Sequence, residues 1–185
     1  MKKSYIIVLL VLMVIASAAF LLVYNAKHSE DITNGTSSLL VSQHGVSIIV
    51  PQEWVKADTD SNSSILAVAN SSSKDSDGFN DINVNIERKQ SVNSLDYEFK
   101  NYCKSLASDY NSKILFTGNV SNVGKHDGME VDYKSNLNGV QKQHKSIWIK
   151  KDDFIYVILC SAPAKSFSKQ ELLFNAIIGS FKFRK

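Results

Sequence analysis

The chain has 185 residues and carries 21 Lys and Arg against 18 Asp and Glu, with four histidines and a formal net charge of +3. Setting aside Lys2 and Lys3 leaves 19 basic groups against 18 acidic ones, which argues against a nucleic-acid binder, since such proteins usually concentrate basic charge on one face. The only two cysteines, Cys103 and Cys160, allow one disulfide in an exported chain, and two buried thiols are an equal alternative.

Tyr5–Tyr24 reads YIIVLLVLMVIASAAFLLVY, uncharged and broken only by Ser17. As a helix it would span roughly 30 Å, the hydrocarbon thickness of a bilayer. Ala16-Ser17-Ala18 matches a signal-peptide cleavage site, but AAFLLVY would then remain on the mature chain. The run therefore reads as an uncleaved anchor. Lys2 and Lys3 favour a cytoplasmic N-terminus, with the rest of the chain outside the cell membrane. Residues 1–24 are thus read as a single-pass anchor in the lipid bilayer and 25–38 as a flexible polar stalk. Residues 39–185 form one domain with a core of ordinary size.

Within that domain Leu39–Ser42 is a short strand, His44-Gly45 a turn, and Val46–Val50 a strand closed by Pro51. Trp54 follows as a packing lid or a ligand-stacking ring. Ile65–Ala69 is an apolar run, and residues 70–81 form a solvated loop. Ile82, Val84 and Ile86 alternate with polar residues, predicting a strand with one wet face. A helix is expected from Leu95 to Asp109, capped by Ser94 and with Asp96 favourably placed in its first turn. Its apolar stripe is Leu95, Phe99, Tyr102, Cys103, Leu106 and Tyr110. Ile114–Phe116 begins a strand that runs irregularly towards Val123.

Asn138-Gly139 between two extended runs is a strong hairpin signal, because a type I′ turn needs positive φ at both central positions. Counting back from it pairs Asp132 with Lys145, Tyr133 with His144, and Met129 with Trp148. A second turn at Asp152-Asp153 sets Trp148 against Val157 and Ile149 against Tyr156. Neighbours on a strand point to opposite faces, so both faces of Phe154–Cys160 are apolar. A strand apolar on both sides predicts an α+β fold in which helices cover both faces of an antiparallel sheet. Pro163 breaks the chain. Ser168–Glu171 matches a capping box for a helix over Leu172–Ile177 that Gly179 ends, and Phe181 and Phe183 fold back onto the sheet.

HGVSIIVPQEW at 44–54, GMEVDYKSN at 128–136, FIYVILCSAP at 154–163 and IIGSF at 177–181 resemble the PsbP-like group of exported domains, which includes the membrane-anchored DcrB-like proteins. The resemblance spans roughly residues 39–183. It implies an antiparallel sheet between helices and a largely non-enzymatic family whose members help assemble or stabilise membrane complexes.

Candidate chemistry is sparse. Aligning Gly78 with the sixth position of an EF-hand loop places Asp75 and Asp77 suitably, but Val84 falls where a bidentate Glu is required. His28, His44, His126 and His144 show no zinc-ligand spacing, and no nucleophile elbow or phosphate loop is present. No cofactor or metal is expected. Trp54 and Tyr133 are the aromatics that could stack on a ligand, and Cys103 and Cys160 the pair that could form a disulfide. The leading expectation is a tethered, non-catalytic domain that binds a protein partner, and the alternative a receptor for a small ligand or glycan.

Overall fold

The computed structural model describes residues 37–58, 61–74, 80–137 and 139–184. The expected anchor Tyr5–Tyr24, most of the stalk, His28, the loop residues Asp75, Asp77 and Gly78, and Asn138 lie outside the described residues. No described helix is long and apolar enough to cross a membrane.

Ten strands and two helices make up the described domain. The strands are β1 (Ser38–Gln43), β2 (Val46–Pro51), β3 (Trp54–Lys56), β4 (Ser64–Asn70), β5 (Asn83–Gln90), β6 (Ser112–Val123), β7 (His126–Leu137), β8 (Val140–Lys151), β9 (Phe154–Pro163) and β10 (Lys182–Phe183). The helices are α1 (Leu95–Ser108) and α2 (Phe167–Ser180). Seven strands form one antiparallel sheet in the order β3-β4-β5-β9-β8-β7-β6, and a second sheet has the order β1-β2-β10.

The register counted from Asn138-Gly139 is the one observed. Asp132 pairs with Lys145, Tyr133 with His144 and Met129 with Trp148, and across the next turn Trp148 pairs with Val157 and Ile149 with Tyr156. Alternation then gives the large sheet two apolar faces. On one, Val131, Tyr133, Trp148 and Ile155 pack with Phe99 and Leu106 of α1. On the other, Ile147, Ile149, Ile158 and Cys160 join Phe174, Ile177 and Ile178 of α2, with Val46, Ile48 and Val50 of the small sheet. The fold is mixed α+β, with one helix on each face of the large sheet, and α2 shares its face with the β1-β2-β10 sheet.

Several local expectations need correction. Trp54 begins β3, an edge strand too short for its alternation to show. The outer face of β5 is half-buried rather than wet, because Asn83, Asn85 and Glu87 flank β9 on the α1 side. Ser94 Oγ does accept from the Tyr97 N–H at 3.2 Å, but α1 stops at Ser108 and Tyr110 lies 95% exposed beyond the stripe. Helix α2 begins at Phe167 behind Ser166, so Ser168 is already helical. Ser166 makes no side-chain cap to the helix, and its Oγ donates to Pro163 O. Gly179 lies inside the last turn, and Phe181 is the C-terminal cap residue.

Two-residue turns place the strand ends. His44 and Gly45 both have positive φ (47° and 80°), as do Gly124 and Lys125 (61° and 72°) between β6 and β7, the I′ geometry that matches strand twist. Beside the second turn Asn122 (φ 62°) lies in a register shift between Val120 and Val123, so β6 bends at this end.

Candidate functional site

Two polar clusters lie within the large sheet, one on each face. Under α1, the neutral ring of His144 lies between two hydroxyls. Nδ1 is 2.8 Å from Ser161 Oγ and Nε2 is 2.9 Å from Ser135 Oγ, so one nitrogen donates and the other accepts. Tyr133 stacks on this ring at 4.6 Å, and the hydroxyl of Tyr102 donates to that of Tyr133 at 3.0 Å. Burial, helped by the charge of Lys142, holds the imidazole down to about 4 from its usual 6.5. A ring so reluctant to take a proton is a poor general base at neutral pH. Burial likewise raises both tyrosine hydroxyls.

On the opposite face, Lys145 Nζ is 2.6 Å from Glu130 Oε1 and 3.7 Å from Asp132 Oδ2. The Lys145 side chain is only 8% exposed. Burial pulls its ammonium down, but the Glu130 hydrogen bond and the two carboxylates outweigh it, and the net shift is upward. Asp132 is pushed up to about 6, chiefly by burial, against the pull of Lys145. Its Oδ1 is buried with no partner among the described residues. A further acid, Glu98 of α1, is buried and takes hydrogen bonds from Ser91 Oγ (2.6 Å), Asn93 Nδ2 (2.8 Å) and Lys89 Nζ (2.9 Å). These hold it down to about 2 and tie the helix start to the end of β5.

The residues singled out from sequence do not converge. Tyr133 is 7% exposed beneath α1 and Trp54 is 2% exposed, so neither offers a ring face to a ligand. Both are core residues. Cys103 packs against the α1-side cluster and Cys160 is fully buried on the α2 side, with both thiols free. The intervening sheet separates them, and the disulfide alternative gives way to two thiols in two cores. Burial raises both thiol pKa values, as befits unreactive cysteines. Asp81 is engaged by Lys142 Nζ at 3.1 Å. Among the described residues, no three or more His, Cys, Asp or Glu side chains are grouped to hold a metal ion.

An open cleft lies elsewhere, at the end of the β6–β7 hairpin. A cleft of about 660 Å³ is lined by Asn122, Gly124, Lys125 and His126 from the turn, Lys151 at the end of β8, and Gly179 and Phe181–Arg184. Its aromatic floor is built on Phe183. That ring meets His126, Tyr156 and Phe181 edge-on at 5.1, 4.8 and 4.9 Å, and Lys151 Nζ stands 4.5 Å from its centroid. Gly124 is required beneath it, since a Cβ there would lie 2.9 Å from the Phe181 ring. Lys125, Lys151, Lys182 and Arg184 make no ion pair among the described residues. The near-neutral total charge conceals this concentration, because its cations come from three distant stretches. The legible signal was FKFR at 181–184, in which cations alternate with aromatics.

The fold has solved relatives. Cyanobacterial PsbP (CyanoP) from Synechocystis sp. PCC 6803 is 12% identical, with a TM-score of 0.57 over 82% of this chain and 95% of that one. LpqN of Mycobacterium tuberculosis, described as involved in cell envelope biogenesis, is 13% identical, with a TM-score of 0.58 over 86% of this chain and 96% of that one. At such identities the likeness is one of fold. No curated protein sequence matches the chain. The model of the PsbP-like protein family matches residues 4–183, nearly the whole sequence, and the chain belongs to that family.

Proposed function

We propose that this chain is a membrane-tethered, non-catalytic, extracytoplasmic PsbP-like domain that binds a protein partner near the outer face of the membrane. The observation that carries the reading is the contrast between closed and open polar groups. His144, Lys145 and Glu98 are engaged by neighbouring side chains beneath the helices, whereas four cations without ion-pair partners among the described residues surround one open cleft. Groups saturated by one another are poorly placed to attack or protonate a substrate, and unpaired charges around an open cleft suit recognition. The tether rests on the uncharged run Tyr5–Tyr24 and on Lys2 and Lys3 before it. LpqN, of the same fold, is described as acting in cell envelope biogenesis, a comparable setting.

Three measurements on intact cells and their membranes test this. Alkaline carbonate should leave the chain in the vesicle pellet, and external protease should digest the domain in whole cells. A pull-down from gently solubilised membranes should then recover a reproducible protein partner. Release by carbonate would overturn the tether, and a pull-down that returns no reproducible partner would overturn the binding role.

A further inference from the structure

We infer that the C-terminal cleft is a binding site for a phosphate-bearing anion. This goes beyond the proposed protein partner and rests only on the reading of the cleft as a recognition surface. Lys125 comes from the β6–β7 turn, Lys151 from the end of β8, and Lys182 and Arg184 flank Phe183. Among the described residues no carboxylate lines the cleft. Asp127 lines a separate one beside the start of α1, and Asp152 and Asp153 in the β8–β9 turn line neither. The charged side chains that line the cleft are therefore all basic among the described residues.

Two of the cations are held in place. Arg184 donates its backbone N–H to Gly45 O and its Nε–H to Ser47 Oγ, each at 2.8 Å. Anchoring through Nε leaves the two Nη groups without a partner among the described residues. Such a planar pair of donors fits two oxygens of one phosphate. Lys151 is held over the Phe183 ring, so its ammonium is placed before any ligand arrives. Preorganised donors spare a ligand part of the ordering cost of binding. A phosphate group, with several acceptor oxygens and up to two negative charges, matches four cations better than one carboxylate does. The half-buried Phe183 and His126 rings offer a surface for the organic part of the ligand. Such a group comes either from an anionic lipid headgroup or from a soluble phosphomonoester.

The test uses the full chain in nonionic detergent micelles. Calorimetry measures binding of glycerol 3-phosphate, and of micelles doped with phosphatidylglycerol or, for comparison, phosphatidylcholine. Two double variants remove cleft charge, Lys151→Gln with Arg184→Gln and Lys125→Gln with Lys182→Gln. The second pair alters only exposed side chains and guards against a folding defect in the first. A control of equal charge change, Lys104→Gln with Lys169→Gln, alters exposed lysines on the two helices. Saturable binding is expected, weakened roughly tenfold or more in each cleft variant and about twofold or less in the control. Binding of glycerol 3-phosphate identifies a soluble source, and binding of phosphatidylglycerol micelles alone identifies the headgroup. Binding of neither probe, or equal weakening in cleft and control variants, would overturn the inference. Glycerol 3-phosphate binding depends on neither anchorage nor a protein partner, so failure here is distinct from failure of the tether or of the partner-binding reading.

Discussion

Tyr133 and His144 face each other across β7 and β8 with ring centroids 4.6 Å apart and planes 23° from parallel. The stack caps an imidazole already bridged by Ser135 and Ser161, which makes it a neutral structural group.

Acid should therefore weaken the fold through His144. Its folded pKa of about 4 lies below the usual 6.5, so the unfolded chain takes up the proton first as pH falls. Its contribution is complete above about pH 6.5 and is lost towards pH 4, by roughly 2–3 kcal/mol. Asp132, raised from 3.8 to about 6, acts oppositely, since its contribution is lost as pH rises through 6. Urea unfolding from pH 4.5 to 7.5 should show stability rising towards acid for His144→Gln, where Asp132 acts alone, and a steeper acid loss for Asp132→Asn. Slopes unchanged from the parent would contradict this.

Lys145 should tolerate replacement far less than Asp132. Lys145→Met leaves Glu130 and Asp132 buried without their cation, at a cost of ~3–5 kcal/mol. Asp132→Asn removes a charge that burial already disfavours, and at pH 8 should cost less than ~1 kcal/mol or stabilise. Denaturant midpoints check the order, and equal damage from both would count against it.

Two glycines near the cleft should respond with opposite signs. Gly124→Ala combines a φ of 61° with a Cβ contact of 2.9 Å to Phe181, and should destabilise by ~1–3 kcal/mol. Gly179→Ala lies in the last turn of α2 with nothing within 4 Å, and should stabilise by up to ~1 kcal/mol. Thermal melts of the two variants provide the check.

The long-range pairing of β7, β8 and β9 was legible in the sequence because a two-residue turn at Asn138-Gly139 leaves only one register, and side-chain alternation carries it across the sheet. The two-faced apolar pattern of Phe154–Cys160 likewise announced cover on both sides. Where short-range cues competed, they misled. Ser168 matches a capping box, yet the cap lies two residues earlier at Ser166 because Phe167 is drawn into the core at 2% exposure. Tyr110 kept helical spacing, but Asp109 is extended and turns the chain outward. Residue type alone marks Trp54 and Tyr133 as candidate ligand platforms, and Trp54 also as a packing lid. Burial depends on packing that type cannot report, and the 2% exposure of Trp54 bears out the lid. The cleft cations were hidden because Lys125, Lys151 and Arg184 meet only after the turn, the long hairpin and the last strand are assembled.

The most direct test of the account is site-specific photocrosslinking in intact cells, with the probe placed at Lys182 in the cleft or at Lys104 on α1. The account predicts a discrete protein adduct from position 182 and none of the same mass from 104. Identical adduct patterns from both positions, or no adduct from 182, would contradict it.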